Sequence, residues 1–471
     1  MIKNRILFII LIGTVVFISG CMLGPKYQRP EIASPEAFML STSSDSIINL
    51  RWWELFNDPE LNTLIKTALA QNTDVRIAAR RIDQSRAVLG VSRANQLPVI
   101  GYEGGVATGN FNGTQKSGDR SDNMFASANL YWELDFWGKY QSLNEVAKAD
   151  LLASEYGKRA VEIAIISEVA RAYFLLLDYK ERLAIAERTL ESRKLTTRLF
   201  ALRYEKGIIP ELDLNQAQIQ EALAALSIPE YQRAMAQTNN ALQILLGRPP
   251  QAFITVNTLI NQQVPPEIPT GIPSSILERR PDILLAEQGI VAQNAYISYA
   301  QALRLPAFSL TGMLGSAGAD LTAFTTGGLG WSAAGGFFGP IFNFGKNKKR
   351  VDIERYKTEE VIIQYESVVL QAFREVEDAL IEVDTYRRQL EINENQLAVA
   401  QNANRLSRER YDAGVTSYLE VLDTERTLFN VEIELTFTRQ AYLSSYVKLY
   451  KALGGGWITP EEEQAATAPA E

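Results

Sequence analysis

The sequence has no histidine and only one cysteine among its 471 residues. Histidine is the commonest metal ligand and the usual general base near neutral pH. Enzymes that need a histidine triad or a histidine-bound metal are therefore excluded, and no cofactor is expected. A single cysteine also allows no disulfide within the chain.

An excess of positive charge is missing too. The chain has 47 Lys and Arg against 55 Asp and Glu, a net charge of −8. Proteins that bind nucleic acid depend on positive charge facing the phosphates. We therefore expect no nucleic-acid partner.

The apolar run at residues 6–18 is too short to span a membrane comfortably. Lys3 and Arg5 precede it and Ser19-Gly20-Cys21 follows, which is the order of a secretory signal. Cys21 stands where a bacterial lipoprotein signal is cleaved and acylated. We expect a signal peptide at residues 1–20 and a lipid on Cys21; the alternative is a chance cysteine near a cleavage site. Met22 is not the Asp that commonly retains lipoproteins at the inner membrane, which favours the outer membrane.

The chain is a tandem duplication. Arg203-Tyr204-Glu205-Lys206-Gly207 returns 207 residues later as Arg410-Tyr411-Asp412-Ala413-Gly414, and the same offset relates other glycines. The expected organisation is a lipid-tethered leader at residues 21–58, a first repeat at 59–247, a linker at 248–273, a second repeat at 274–454 and a tail at 455–471.

Asp58 can cap, and Pro59 can begin, one helix that reaches about Asn95. Each copy contains a candidate β-hairpin, at residues 98–137 and 306–344, and a polar loop at residues 109–123 is expected to join the strands of the first. Residues 124–137 alternate between apolar and mostly polar side chains, which predicts a strand; the alternation in the second hairpin is weaker. Strands of this length with Trp and Phe near one end suit the outer membrane, although a soluble sandwich is the alternative. Four strands cannot close a barrel, and an open edge cannot face lipid. A barrel shared between chains is therefore expected; two chains would supply 8 strands and three would supply 12, which leaves a wide lumen.

Long segments almost free of Gly and Pro follow each hairpin, at residues 139–206 and 346–413. As helices they would each extend ~100 Å. Apolar residues recur every seven positions, as in a coiled coil, and a second series four residues further on turns charged at Lys180, Glu187, Arg387 and Glu394. We expect these charged positions to face water, on the outer surface or in a lumen. The apolar series is Val169, Leu176, Leu183 and Leu190 in the first copy, and Val369, Val376, Val383, Leu390 and Leu397 in the second.

A second helix returns after each long one, so that residues 139–246 and 345–453 form two helical hairpins. Gly207 and Gly414 can adopt the left-handed backbone that ends a helix. Pro229 should bend the first return helix.

Four motifs resemble one known family. They are Gly20-Cys21 with Gly24-Pro25-Lys26-Tyr27, Trp52-Trp53-Glu54-Leu55-Phe56-Asn57-Asp58-Pro59, Leu277-Glu278-Arg279-Arg280-Pro281-Asp282, and the two Arg-Tyr-x-x-Gly turns. Together they resemble the TolC-type outer-membrane efflux proteins, in the lipoprotein branch named for the nodulation factor NodT. Ile18, where lipoprotein signals more often carry Leu, is a small departure.

The resemblance implies an α+β membrane protein and a homotrimer. Its twelve strands would form one transmembrane β-barrel, continued into the periplasm by a long coiled-coil α-helical barrel. The implied function is the outer-membrane channel of a tripartite efflux system, a passive exit duct opened at its periplasmic tip by an adaptor (membrane fusion) protein and an inner-membrane resistance-nodulation-division transporter. The sequence does not name the substrate.

Three alternatives to this function remain. A duct for protein or oligosaccharide secretion belongs to the same class. An enzyme with paired carboxylates, at Glu133 and Asp135 or at Glu420 and Asp423, belongs to another. A purely structural coiled-coil tether would not need the strands.

The two turns are the candidate adaptor-contacting tips, at Arg203, Tyr204, Gly207, Arg410, Tyr411 and Gly414. A trimer would present six near-equivalent tips to a ring of adaptors. The alternative is that Arg and Tyr merely cap each helix, since a positive charge near a helix C-terminus interacts favourably with the helix dipole.

A pore constriction is expected at Leu419, Asp423 and Arg426. Leu419 and Asp423 are four residues apart and share a helix face. The first copy has Gln216 in place of Asp423, so each chain carries one such acid and a trimer would carry three. A ring of carboxylates selects for cations. The resemblance places an acid and an apolar constriction here. Alternatively, Arg426 pairs with Asp423 and locks the helix.

The lone cysteine generates a first prediction. We expect the mature protein to begin at a lipidated Cys21, and Cys21→Ser to leave it uncleaved or unacylated. Mass spectrometry of the mature N-terminus checks this, and an unmodified residue elsewhere at the N-terminus would refute it.

Overall fold

The computed structural model describes residues 23–32, 35, 38, 52–112, 115–253, 255–265 and 277–455, without the side chains of 110–121. The signal peptide and Cys21 lie outside the described residues. The helices are α1 (Pro59–Gln71), α2 (Thr73–Ala94), α3 (Lys139–Glu205), α4 (Glu211–Leu245), α5 (Pro281–Ala302), α6 (Leu321–Thr326), α7 (Lys346–Asp412) and α8 (Tyr418–Ala452). The strands are β1 (Val99–Asn112), β2 (Gln115–Leu134), β3 (Ala307–Gly318) and β4 (Gly330–Phe338).

The chain forms two compact units. The first contains Met1–Glu31, Arg80–Glu155 and Leu285–Glu366, and the second contains Ile32–Ala79, Tyr156–Leu284 and Ser367–Glu471. Each unit draws on both copies of the duplicated sequence. No described helix is both long and apolar enough to cross a membrane.

The first unit contains a four-stranded antiparallel sheet in the order β1-β2-β3-β4. Both predicted hairpins are therefore present. The polar loop expected at residues 109–123 is wrong in part, because pairing continues to Asn112 and Gln115 after a register shift between Gly109 and Phe111. β4 ends at Phe338 rather than Phe344. Strands β1 and β4 are the two edges of the sheet.

The paired acids at the base of the first hairpin have structural partners. Glu133 accepts hydrogen bonds from Lys139 Nζ at 2.7 Å and Tyr140 Oη at 2.9 Å. Asp135 accepts from the backbone N–H groups of Tyr140 and Gln141 at the start of α3. Both carboxylates thus hold the junction between strand and helix, where four N–H groups lack partners within the helix.

The core of the second unit is aromatic. Trp52 and Phe56 are 1% exposed, and the Trp52 ring stacks on Tyr450 at 5.2 Å. Val169 belongs to this core, and Val169, Val369 and Val376 are all 0% exposed. The predicted seam is therefore confirmed at these positions, while Leu183, Leu190, Leu390 and Leu397 are half-buried.

Three of the four charged seam positions are exposed as expected. Lys180 is the exception, and the expectation that it faces water is wrong. Its ammonium donates to the backbone oxygens of Thr255 at 2.7 Å and Asn257 at 2.9 Å. Those linker carbonyls belong to no helix or strand, so they need side-chain donors when shielded from water.

Asp58 ties the same linker to the start of α1. It caps α1 as predicted, accepting from the N–H groups of Glu60 and Leu61. It also accepts from Tyr173 Oη at 2.7 Å, from Asn257 Nδ2 at 3.1 Å and from Gln262 Nε2 at 2.9 Å. Burial, and then the hydrogen bond to Asp58, raise the pKa of Tyr173, so its hydroxyl remains a donor.

The sequence predicts one helix from Pro59 to about Asn95, and this is wrong. The helix breaks at Asn72, whose ψ is 135°. Its side-chain oxygen accepts from the N–H groups of Asp74 and Val75, which starts α2, while its amide donates to Leu245 O at 2.9 Å. A residue that can cap a helix and reach a distant carbonyl favours the break.

Arg280 is the counterpart of Asn72 in the second copy. Its buried guanidinium donates to Asp282, to Glu375 at 2.8 Å and to Ala452 O at 2.9 Å. Gly454 has φ 74°, and a Cβ there would lie 2.9 Å from Arg280 Cγ, so glycine is required. Removing a buried partner from such a pair typically costs about 3–5 kcal/mol.

Helix α4 is continuous from Glu211 to Leu245 and contains Pro229. The proline therefore does not end the return helix.

Candidate functional site

The two turns have the same backbone. Gly207 has φ 68° and Gly414 has φ 72°. Ile208 N donates to Arg203 O, and Val415 N donates to Arg410 O, each at 2.9 Å. This is the Schellman arrangement that closes a helix. A Cβ on either glycine would meet no atom within 4 Å, so both turns face open space.

The side chains of the two turns make different contacts. Arg203 Nη1 donates to Tyr411 Oη at 3.3 Å, whereas Arg410 Nε lies 3.2 Å from Glu420 Oε1. Tyr204 is 42% exposed, and Tyr411 is half-buried. The turns therefore match in backbone and differ in the surface that they present.

An aromatic cluster packs beside the second turn. The Phe200 ring lies 4.2 Å from Tyr418 and 6.2 Å from Tyr411, between centroids. Burial raises the pKa of Tyr418, and the charge of Glu425 adds to the effect. Sequence reasoning missed Phe200 and Tyr418. Comparing the copies could have found them, because the equivalent positions hold Ser407 and Glu211.

Polar contacts join α7 to α8 near their ends. The hydroxyls of Ser407 and Thr424 are 2.6 Å apart, and Arg408 pairs with Glu425 at 2.7 Å. The positions equivalent to Ser407 and Thr424 in the first copy are Phe200 and Ala217, which pack in one apolar cluster. The two helical hairpins are thus held differently at their tips.

The three residues expected at the constriction lie together in one groove between α4 and α8. Leu419 is 62% exposed there. The groove is lined by Leu419, Asp423 and Arg426 on α8 and by Gln216, Ile219 and Gln220 on α4, with further residues of the turn.

Asp423 and Arg426 pair within the protomer. Arg426 Nη2 lies 2.7 Å from Asp423 Oδ1, and the side chains are 63% and 65% exposed. Such an exposed pair contributes about 0–1 kcal/mol, too little to lock the helix. Gln216 and Ile219 occupy the equivalent positions in the first copy and carry no charge.

Glu420 and Asp423, the second candidate acid pair, both have partners within the chain, as Glu133 and Asp135 do. Glu420 accepts a hydrogen bond from Thr416 and faces Arg410, while Asp423 is bound to Arg426. Among the described residues no group of three or more His, Cys, Asp or Glu could hold a metal ion.

Solved channels share this fold. Crystal structures of CusC match with a TM-score of 0.83 at 33% identity, covering 93% of this chain and 100% of CusC. The CmeC outer membrane channel of Campylobacter jejuni matches with a TM-score of 0.86 at 27% identity, covering 95% and 97%. The expected fold class is thereby confirmed.

Relatives found by sequence similarity are outer-membrane efflux proteins as well. The cation efflux system protein CusC of Escherichia coli K12 is 34% identical over 452 residues, 93% of this chain and 97% of CusC. The probable outer membrane lipoprotein SilC of Salmonella typhimurium is 33% identical over 459 residues, 95% and 98%. The toluene efflux pump outer membrane protein TtgC of Pseudomonas putida is 34% identical over 456 residues, 94% of each chain.

The family model described as outer membrane efflux protein matches residues 64–248 and 272–455. The chain belongs to the outer membrane efflux protein family and is an efflux channel of the outer membrane.

Proposed function

We propose that the chain works as a homotrimer whose twelve strands form one barrel. The observation that carries the proposal is the four-stranded sheet with edges at β1 and β4. In a membrane, unpaired edge N–H and C=O groups have no water to bind. Pairing β4 of one copy with β1 of the next satisfies both edges.

The trimer is a passive exit duct. A periplasmic adaptor and an inner-membrane pump of the resistance-nodulation-division class supply the energy and open the periplasmic tip, and no catalytic step occurs in this chain. The relatives are named for cation and toluene efflux, which favours ions or small molecules over protein or oligosaccharide as cargo. The name of SilC as a lipoprotein supports acylation of Cys21.

The domain organisation expected from the sequence accompanies this proposal. The two repeats at residues 59–247 and 274–454 each give one β-hairpin and one helical hairpin to the duct. The leader at residues 21–58 and the linker at 248–273 surround it, and the lipid holds the mature chain to the outer membrane.

Cysteine pairs test the trimer. With Cys21 as the only native cysteine, one cysteine placed on β1 and one on β4 should form disulfides between copies in membranes. We expect covalent dimers and trimers on non-reducing gels for pairs in register. Pairs with both cysteines on β1 are the control. If no β1–β4 pair cross-links, the shared barrel is wrong.

We further propose that the two turns are the adaptor-contacting tips. Both lie at the far end of a 67-residue helix, and the space around both glycines is open. Because the side chains differ, Arg203 with Tyr204 and Arg410 with Tyr411 present two kinds of tip, each three times in a trimer.

Replacing Gly207 and Gly414 with Phe should block transport and leave trimers intact. A left-handed non-glycine residue costs about 1–2 kcal/mol, and no neighbour obstructs the new side chain, so the loss reports on docking. Gly328→Phe is the matched control, since Gly328 has φ 78° and equally open surroundings. Drug or metal sensitivity of a deletion strain measures transport. Full transport by both tip variants would contradict the assignment.

We also propose that Leu419, Asp423 and Arg426 line the closed mouth. The exposed ion pair is weak enough for Asp423 to exchange Arg426 for a passing cation. Because only the second copy carries the acid, three carboxylates would face the trimer axis, and such a ring selects cations.

Asp423→Ala should raise the leak of the closed channel and reduce block by multivalent cations in planar bilayers. Asp412→Ala is the control, because Asp412 is an exposed acid at the end of α7, on the other side of the same turn and outside the groove. Unchanged conductance and cation sensitivity in Asp423→Ala would show that Asp423 does not line the mouth.

A further inference from the structure

The segment after β4 combines exposed apolar side chains with positive charge. Ile341, Phe342 and Phe344 are 104%, 74% and 90% exposed. Four exposed cations follow within six residues, and no acid lies between Gly339 and Val351. The cations are Lys346, Lys348, Lys349 and Arg350. We call residues 341–350 the aromatic–basic segment.

The first copy shows that the fold does not need these side chains. There Trp137, which is equivalent to Phe344, is half-buried and donates its indole N–H to Pro306 O at 2.8 Å. Lys139, the equivalent of Lys346, is neutralised by Glu133 at 2.7 Å. The equivalents of Lys348, Lys349 and Arg350 are the uncharged residues Gln141, Ser142 and Leu143.

Phe344 is held in an unfavourable backbone conformation. Its φ is 52°, in the left-handed region that bulky residues rarely adopt. The strain is not offset by burial within this chain, because the ring contacts Phe342 at 4.6 Å and is otherwise exposed. Strain of this kind clusters at ligand clamps and other functional sites.

Two contacts connect the segment and the leader to the region of α5. Asn347 Nδ2 donates to Leu303 O at 2.8 Å, just beyond the end of α5. The leader reaches the last turns of the same helix, where Asn294 Nδ2 donates to Pro25 O at 2.9 Å. The described part of the leader and the segment therefore contact the same helix or the residue that follows it.

We propose that the aromatic–basic segment is a docking surface for anionic phospholipid headgroups in the periplasmic leaflet of the outer membrane. Aromatic rings favour the boundary between headgroups and acyl chains. Lys346, Lys348 and Arg350 supply exposed positive charge for the phosphates, since clustered cations attract anionic lipids. Lys349 contributes less because it pairs with Asp352 at 3.1 Å. The proposal rests on the outer-membrane location, and not on the tips or the mouth.

Lipid counting by native mass spectrometry tests this surface. The detergent-solubilised full-length protein is mixed with phosphatidylglycerol or with phosphatidylcholine. We expect Lys346→Gln/Lys348→Gln/Arg350→Gln to weaken phosphatidylglycerol binding about tenfold or more and to leave phosphatidylcholine binding unchanged. The matched control is Arg374→Gln/Arg388→Gln/Arg405→Gln, which removes three exposed cations from the same helix and should bind both lipids like wild type.

Several results would overturn the proposal. Unchanged phosphatidylglycerol binding by the first variant would remove the role of the cations. Equal weakening by the control would show that net charge alone matters. If the first variant, or Phe344→Ala, instead converts the oligomer to monomers, the segment is a contact between copies rather than a lipid surface.

Discussion

Backbone groups shielded from water must find hydrogen-bond partners, and this requirement governs the structure at every level. Asn72 and Arg280 each donate to a carbonyl in the last turn of a return helix, Leu245 O and Ala452 O. Lys180 serves two carbonyls of a linker that has no ladder of its own. At the sheet edges β1 and β4, the same requirement extends beyond one chain, because lipid offers no donors or acceptors.

The two copies of the duplicated sequence satisfy equivalent backbone groups with different side chains. Asn72 and Arg280 occupy equivalent places, yet the first is a neutral amide and the second an ion-paired guanidinium. The tips diverge further, since Phe200 stands where the second copy has Ser407. A trimer of duplicated chains is therefore only approximately sixfold symmetric. Gln216 likewise stands where the second copy has Asp423.

Periodicity and turn chemistry predicted most of the fold. Gly207 and Gly414 fixed both helix ends, and the heptads at Val169 and Val369 predicted the buried seam. The break at Asn72 was missed because it depends on Leu245 O, 173 residues away. The exposure of Lys180 was predicted wrongly for a similar reason. Its hydrogen-bond partners lie in the linker, which has no periodic signal. Long-range hydrogen bonds of single polar side chains leave no local pattern.

The buried core of the second unit is unevenly distributed. Around Trp52 the unit has a large buried core that includes Tyr173 and Leu443, each 0% exposed. Near the tip the core is reduced to the small cluster around Phe200 and Tyr418. Beside this cluster, polar contacts join α7 to α8, such as Ser407 with Thr424 and Arg408 with Glu425. Regions with few buried apolar contacts open at lower free energy than the core. An adaptor docked on the turns as proposed would therefore act on the part of this unit that has the smaller buried core.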